Sequence, residues 1–324
     1  MKNVKIKNKM GRKKKKRVLA ILPESIGGRL TTSSLIAGFE QNDCKVTVYD
    51  ELFEKNLSEV LKNEFDYIAG YDFSGLKIKI DNKLNIPSIN YFSDDIRSKT
   101  SGPYWEEYLP YLEDDDNYTF YWDRQLTEYE NFKNIFYLPH FVNCEVYRDM
   151  GVEPEFDVMF AGRLDTEYRL RTFEELVLKM PELKVAWYAI DRHYKDARER
   201  SIYPEVIDLC YRGFIDNEPD MARAINNSKI IINMHSQGLT SLNYRAYQTA
   251  ACKRLMLTDY RDELALFDGY MPFFEDMTDL LFKVENYLDD KEAYNTVTEN
   301  CYRIVRENHN SKDCVRYLLK MIKD

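Results

Sequence analysis

Ser241–Asp268, SLNYRAYQTAACKRLMLTDYRDELALFD, is the stretch around which the rest of the chain is organised. It reads as an amphipathic helix, a short buried strand at Arg254–Leu257, and a turn into a second helix. Arg245 and Gln248 are three residues apart and share a helix face, while Asn243 and Arg245 fall in the first turn. A first turn carries unsatisfied N–H groups and positive dipole character, so it favours an anion. Arginine adds a rigid donor fork for phosphate, and an amide bonds sugar hydroxyls. A phosphorylated sugar compound is the ligand these residues predict.

Outward from this stretch the chain alternates between strand and helix patterns. Downstream lie a strand at Met271–Phe274 and helical sequence from Asp279, interrupted near Asn308–Asn310. Upstream, strands are expected at Phe156–Ala161, Leu183–Ala189, Cys210–Ile215 and Lys229–Asn233, with helices at Thr166–Met180 and Pro219–Asn227. Cys144–Glu155, with Gly151 and Pro154, reads as a linker. Before it, Arg17–Leu22 is an apolar run expected to be a buried parallel strand. Pro23 and Gly27-Gly28 turn it into a helix over about Leu30–Gln41. Further strands are expected at Lys45–Tyr49, Phe65–Gly70, Ile86–Tyr91, Tyr118–Trp122 and Ile135–Leu138. Recurrent β-α units imply mostly parallel sheets with right-handed crossovers.

The pattern N-x-R-x-[YF]-[EQ]-x-x-A-C-x-x-x-x-L-T-D-x-x-x-E-L, met from Asn243 onward, resembles the C-terminal half of the CgeB-like (spore maturation protein-like) glycosyltransferases. The resemblance takes in Phe160–Arg163, Asn233–His235, Tyr287–Asp290 and Asn308–Asn310, and, in the first half, Asn90–Asp95 and Tyr137–His140. It implies the GT-B architecture, in which two Rossmann-like domains face across a cleft that binds a nucleotide-sugar. The expected division is a basic tail over 1–16, an acceptor domain over 17–145, a nucleotide-sugar domain over 155–305, and a C-terminal helix over 306–324 that packs back on the first domain. The sequence departs from the family pattern at Thr240, where retaining relatives often carry a glutamate, and at Lys253, where a glycine is usual. Gln248 stands where many GT-B enzymes have a glutamate that binds the donor ribose.

Composition narrows the alternatives. The 324 residues suffice for two domains. A net charge of −9 argues against general nucleic-acid binding. Six cysteines without C-x-x-C pairs and four histidines without metal spacing make a structural zinc improbable and suit free thiols in a reducing cytoplasm. No run reaches transmembrane length and no signal peptide is expected. The Lys-rich tail reads as a solvated segment, or as a weak contact with an anionic membrane surface. G-x-G-x-x-G is absent, which argues against a dehydrogenase.

On the donor side the candidates are Gly162, Arg163, Arg169, His235, Ser236, Asn243, Arg245 and Gln248. Gly162 lets a ligand approach the backbone, and Arg163, with Arg169 or Arg171, can neutralise a diphosphate leaving group. Arg169 and Arg171 can equally be a solvated helix face. His235 lies at a strand's carboxyl end, where open α/β sheets bind ligands, although a lone histidine is more often structural. On the acceptor side the candidates are Gly27, Gly28, Arg29, Asp94 and His140. Asp95 is the candidate base, with a helix N-cap as its plainer reading. Arg163, His235 and Asp95 are the expected catalytic groups. Glu113–Asp116 has the composition of a divalent-metal site, but its position suits an acidic surface turn. The expectation is thus a cytoplasmic, metal-independent glycosyltransferase without a cofactor, using a nucleotide-sugar, first of all a UDP-sugar, as co-substrate. Its acceptor is a protein, glycan or small molecule. A nucleotide-sugar epimerase and a catalytically silent glycan- or partner-binding protein are the alternatives.

Overall fold

The structure, a computed structural model, describes residues 15–53, 56–96, 101–124, 132–235 and 240–322. The first domain runs β1 (Arg17–Leu22), α1 (Ile26–Gln41), β2 (Lys45–Asp50), α2 (Leu57–Val60), β3 (Tyr67–Tyr71) and α3 (Ser74–Asp81). It continues with β4 (Ser88–Phe92), α4 (Ser101–Tyr108), β5 (Asn117–Tyr121) and β6 (Ile135–Tyr137). Its six strands are parallel, in the order β2-β1-β3-β4-β5-β6. The second domain runs β7 (Phe156–Ala161), α5 (Glu167–Lys179), β8 (Val185–Tyr188), α6 (Asp191–Arg200), α7 (Pro204–Cys210), α8 (Glu218–Asn226) and β9 (Ser228–Asn233). After these come α9 (Tyr244–Ala251), β10 (Leu255–Asp259), β11 (Phe273–Phe274), α10 (Met277–Asp289), α11 (Lys291–Asn308) and α12 (Ser311–Met321). Its five parallel strands are ordered β11-β10-β9-β7-β8.

Both sheets are covered on two faces, which is why their central strands are unbroken apolar runs. Val18–Ile21 of β1 and Ile230–Ile232 of β9 are all buried. Strand order reverses between β1 and β3 in one sheet and between β7 and β9 in the other, and crevices open beyond the carboxyl ends at such points. The two crevices face one another. The C-terminal helix crosses back as expected: Cys314, Val315, Leu318 and Ile322 join the core of the first sheet. Gly38 on α1 permits this, because a Cβ there would lie 2.3 Å from Val315 Cγ2 and 2.6 Å from the Ser311 carbonyl oxygen. The break near Asn308–Asn310 is made by Asn310, whose side chain caps α12 by accepting from Asp313 N.

Local departures have local causes. The Cys210–Ile215 strand does not form; Cys210 ends α7, and Tyr211 pairs with β8 by a single bridge, to Trp187. Pro204 at the start of α7 favours helix, and Gly213 at φ 92° breaks the extended run. Helix α1 starts at Ile26, not near Leu30, so Gly27-Gly28 belongs to its first turn. The second helix of the opening stretch is a 3-10 segment, Asp262–Phe267, ended by Asp268 at φ 52°. Glu113–Asp116 forms the turn into β5, where the Asp114 and Asp116 carbonyls accept from Asn134 Nδ2 and Ser88 N. Among the described residues no helix is long and apolar enough to cross a membrane. The basic tail lies outside the described residues up to 14.

Candidate active site

A cleft of about 290 Å³ lies between the two sets of strand ends. One wall comes from the first domain: Gly27, Leu30 and Thr31 on α1, Tyr71 at the end of β3, Ser93 and Asp94 after β4, Trp122 after β5, and His140. The other wall comes from the second: Ala161 at the end of β7, Arg169 on α5, His235 after β9, and Ser241, Asn243, Tyr244, Arg245 and Gln248 around the start of α9.

The start of α9 is built by side chains that take up its approaching backbone. His235 donates from Nδ1 to the Asp259 carboxylate and accepts the Asn243 N–H at Nε2, 3.2 Å away. Burial lowers the His235 pKa against the pull of Asp259, so the imidazole is neutral with its proton on Nδ1. Burial raises the Asp259 pKa, but bonding to His235 and the charges of His235 and Arg261 outweigh it and hold the carboxyl low. Asn243 Nδ2 donates to Asn233 Oδ1 at 2.7 Å, which leaves the buried Asn243 Oδ1 without a partner. Arg245 Nη1 donates to Gln248 Oε1 at 2.7 Å, and Gln248 Nε2 donates to the Tyr147 hydroxyl at 2.5 Å. Arg245 Nε is likewise buried and unpartnered. No carboxylate among the described residues pairs with Arg245, and burial lowers its pKa.

Arg169 is buried and bonded to the carbonyls of Arg163 and Met234 and to Asp165, yet its Nε has no partner. Burial, the largest effect, lowers its pKa despite Asp165. Three orphaned polar atoms therefore belong to residues of one wall. Unpartnered polar atoms occur elsewhere in the core as well, but these three belong to residues that line the cleft, where a ligand can supply their partners.

The expected residues divide accordingly. Arg169, His235, Asn243, Arg245 and Gln248 meet on the second wall, and Gly27, Asp94 and His140 on the first. Arg163 is half-exposed, paired with Asp165, and does not line the cleft. Gly162, at φ 149°, supports the wall through its carbonyl, which accepts from Trp187 Nε1. Arg171 is bound to Glu167 and Glu174 on the helix surface. Arg29 is spent on Asp50, with a 2.6 Å contact. Gly28 is a packing position, since a Cβ would meet Tyr71 Cδ1 at 2.8 Å. Asp95 does not line the cleft; Asp94, one residue before it, does. Ser236 lies outside the described residues. His140 packs among Tyr91, Trp122, Tyr244 and Tyr247, and burial pushes its pKa down to about 3. It is a neutral wall residue bonded to the Tyr91 hydroxyl.

Other residues at the site were not foreseen. Asp259 lies in the L-T-D motif, and Trp122, Tyr71 and Asp123 lie at or just past strand ends, so the strand-end rule could have found them. Glu218 and Glu263 carry no such signal. Glu218 accepts from Tyr244 and Ser34, Glu263 from Tyr137, Tyr247 and Leu242 N, and burial pushes both up to about 7.

Residues 169–320 match the family model described as glycosyl transferase-like. No curated protein matches the chain. Among solved structures, the sucrose-phosphate synthase of Thermosynechococcus elongatus superposes with a TM-score of 0.70 at 10% identity, over 95% of this chain and 98% of that one. Anabaena HepE, in complex with UDP and glucose, gives 0.70 at 10% identity over 94% and 98%. An alpha-glucosyltransferase bound to UDP and a 13-mer DNA gives 0.69 at 15% identity over 96% and 100%. These likenesses establish the GT-B fold, and the match over residues 169–320 makes the enzyme class glycosyltransferase.

Proposed function

We propose that the cleft binds a UDP-sugar on its second wall and transfers the sugar to a hydroxyl of a glycan, protein or small molecule that enters along the first. The observation that carries this is Arg245: a guanidinium at the start of α9, without a carboxylate partner among the described residues, beside the orphaned Asn243 Oδ1 and Arg169 Nε. A diphosphate supplies acceptors to both arginines, and a sugar or ribose hydroxyl donates to Asn243. HepE and the alpha-glucosyltransferase, each solved with UDP, support the choice of nucleotide.

In this reading Arg245, Arg169 and the α9 dipole take up the charge of the departing UDP, in place of a metal ion. His235 is held neutral and fixes the α9 entry. Gln248 aims Arg245. Asp94, the carboxylate on the acceptor wall, accepts the proton of the attacking hydroxyl. The protein works in the cytoplasm, where nucleotide-sugars are made.

The test is a thermal-shift screen against UDP-, GDP-, dTDP- and CMP-sugars with EDTA present, followed by nucleotide release. A shift with one nucleotide class that Arg245→Ala abolishes upholds the donor site. Well-folded protein that responds to no donor overturns it in favour of a silent binding protein. Turnover of donor without any acceptor points to an epimerase.

A further inference from the structure

We propose that Asp123, which follows β5 in the first domain, is a positioning residue for the donor site, fixing from across the cleft the backbone that enters α9. Asp123 is fully buried, and its carboxylate faces the second domain. Oδ2 accepts the N–H groups of Thr240 and Ser241 at 3.1 and 3.3 Å, and Oδ1 accepts the Thr240 hydroxyl at 3.0 Å. Ser241 Oγ donates to the Trp122 carbonyl next to it, at 3.1 Å. The following N–H groups are taken in turn: Leu242 by Glu263 Oε2 and Asn243 by His235 Nε2. Every N–H from Thr240 to Asn243 therefore ends on a side chain, and the first two end on the opposite domain. Glu263 extends the contact, because it also accepts from Tyr137 of β6.

The consequence follows from geometry. Arg245 lies two residues beyond the clamped segment, so its placement depends on where Thr240–Asn243 is held. Trp122, the neighbour of Asp123, lines the acceptor wall. One strand end thereby sets both the acceptor surface and the entry to the donor helix. Donor geometry is complete only while the domains hold this arrangement.

The inference rests on the reading of α9 as the donor helix. Its test compares full-length Asp123→Asn with Asn42→Ala, which removes a bond away from the cleft, between the end of α1 and the returning helix α12, from Asn42 Nδ2 to the Lys312 carbonyl. The Asn variant is isosteric and can keep its amide oxygen on the two N–H groups while its NH₂ donates to the Thr240 hydroxyl, so what it removes is the carboxylate's charge. Two readouts are taken: hydrogen exchange of residues 240–246 without ligand, and donor KM against kcat. Asp123→Asn is expected to speed exchange at Thr240–Ser241 and to raise donor KM by about tenfold or more, the loss of the charge on the buried acceptor. Asn42→Ala changes neither. If both variants raise KM equally, or if Asp123→Asn leaves exchange and KM as in the wild type, the inference is overturned. Wild-type protein that binds no UDP-sugar, with exchange still faster in Asp123→Asn, sinks the donor reading and leaves the clamp standing. A donor KM as in the wild type for Asp123→Asn, in protein that turns over a UDP-sugar, overturns the positioning role and leaves the donor reading intact.

Discussion

Arg245 donates to Gln248 Oε1 at 2.7 Å, and this amide is the acceptor its guanidinium has among the described residues. An amide oxygen orients a cation without neutralising it, so the charge stays available to an anion. A partly buried cation lacking a counter-charge costs stability rather than adding to it. Arg245→Met is therefore expected to keep or raise the melting temperature while weakening UDP-sugar binding by about 10–100-fold. Isothermal titration and a melt of the same sample check both halves. A variant that melts lower and binds normally would show Arg245 to be a packing residue.

Glu218 and Glu263 make a prediction about pH. Burial raises both folded-state values from 4.5 to about 7. A carboxyl with a raised folded pKa binds its proton more tightly folded than unfolded. Its stabilisation is present below pH 4.5 and is lost as pH rises to about 7. Each group should remove about 3 kcal/mol over that window. Glu218→Gln is expected to lose stability relative to wild type at pH 4.5 and to recover most of it by pH 8. Urea titrations at several pH values measure the difference, and a gap independent of pH would reject the assignment.

The fold was legible because central parallel strands leave apolar runs such as 17–22 and because strand and helix patterns alternate: the expected strands 17–22, 45–49, 65–70, 86–91, 118–122, 135–138, 156–161, 183–189 and 229–233 each overlap an observed one. The cleft was legible where residues follow strand ends, as His235 and Asp94 do. What failed needed three-dimensional partners. Arg163 follows a strand end too, but Asp165 draws it off. Arg29 looked free for a ligand until Asp50, 21 residues on, proved to hold it. Glu263 stands in the sequence as a pattern residue with no role attached; Tyr137, Tyr247 and the Leu242 N–H make it part of the site.

Lys253 accounts for one departure from the glycosyltransferase pattern. It follows α9 at φ 55°, the left-handed conformation in which a helix commonly ends on glycine. A glycine here would answer a backbone requirement, and Lys253 meets it with strain while its amine pairs with Glu299. An L-residue in that conformation costs about 1 kcal/mol or more, partly offset by the looser unfolded chain that glycine brings. Lys253→Gly is expected to stabilise the protein by about 0.5 kcal/mol and to leave donor affinity unchanged. Weakened donor binding in that variant would give the lysine a direct role.

Gly38 sets the seat of the returning helix. A Cβ at this position would lie 2.3 Å from Val315 Cγ2 and 2.6 Å from the Ser311 carbonyl oxygen. Val315 is fully buried and the second neighbour is backbone, so neither can step aside. Alanine normally favours a helix interior by up to about 1 kcal/mol over glycine, and that gain opposes the clash. Overpacking of a filled core costs about 1–3 kcal/mol, so Gly38→Ala is expected to destabilise on balance, against its helix propensity. The paired change Gly38→Ala with Val315→Ala removes the Cγ2 clash and separates the causes. If the loss comes from the α1–α12 contact, the double variant should be less destabilised than the two single losses added together. Simple additivity in urea denaturation would mean that α12 tolerates the extra methyl by shifting, and that its seat is not set by Gly38.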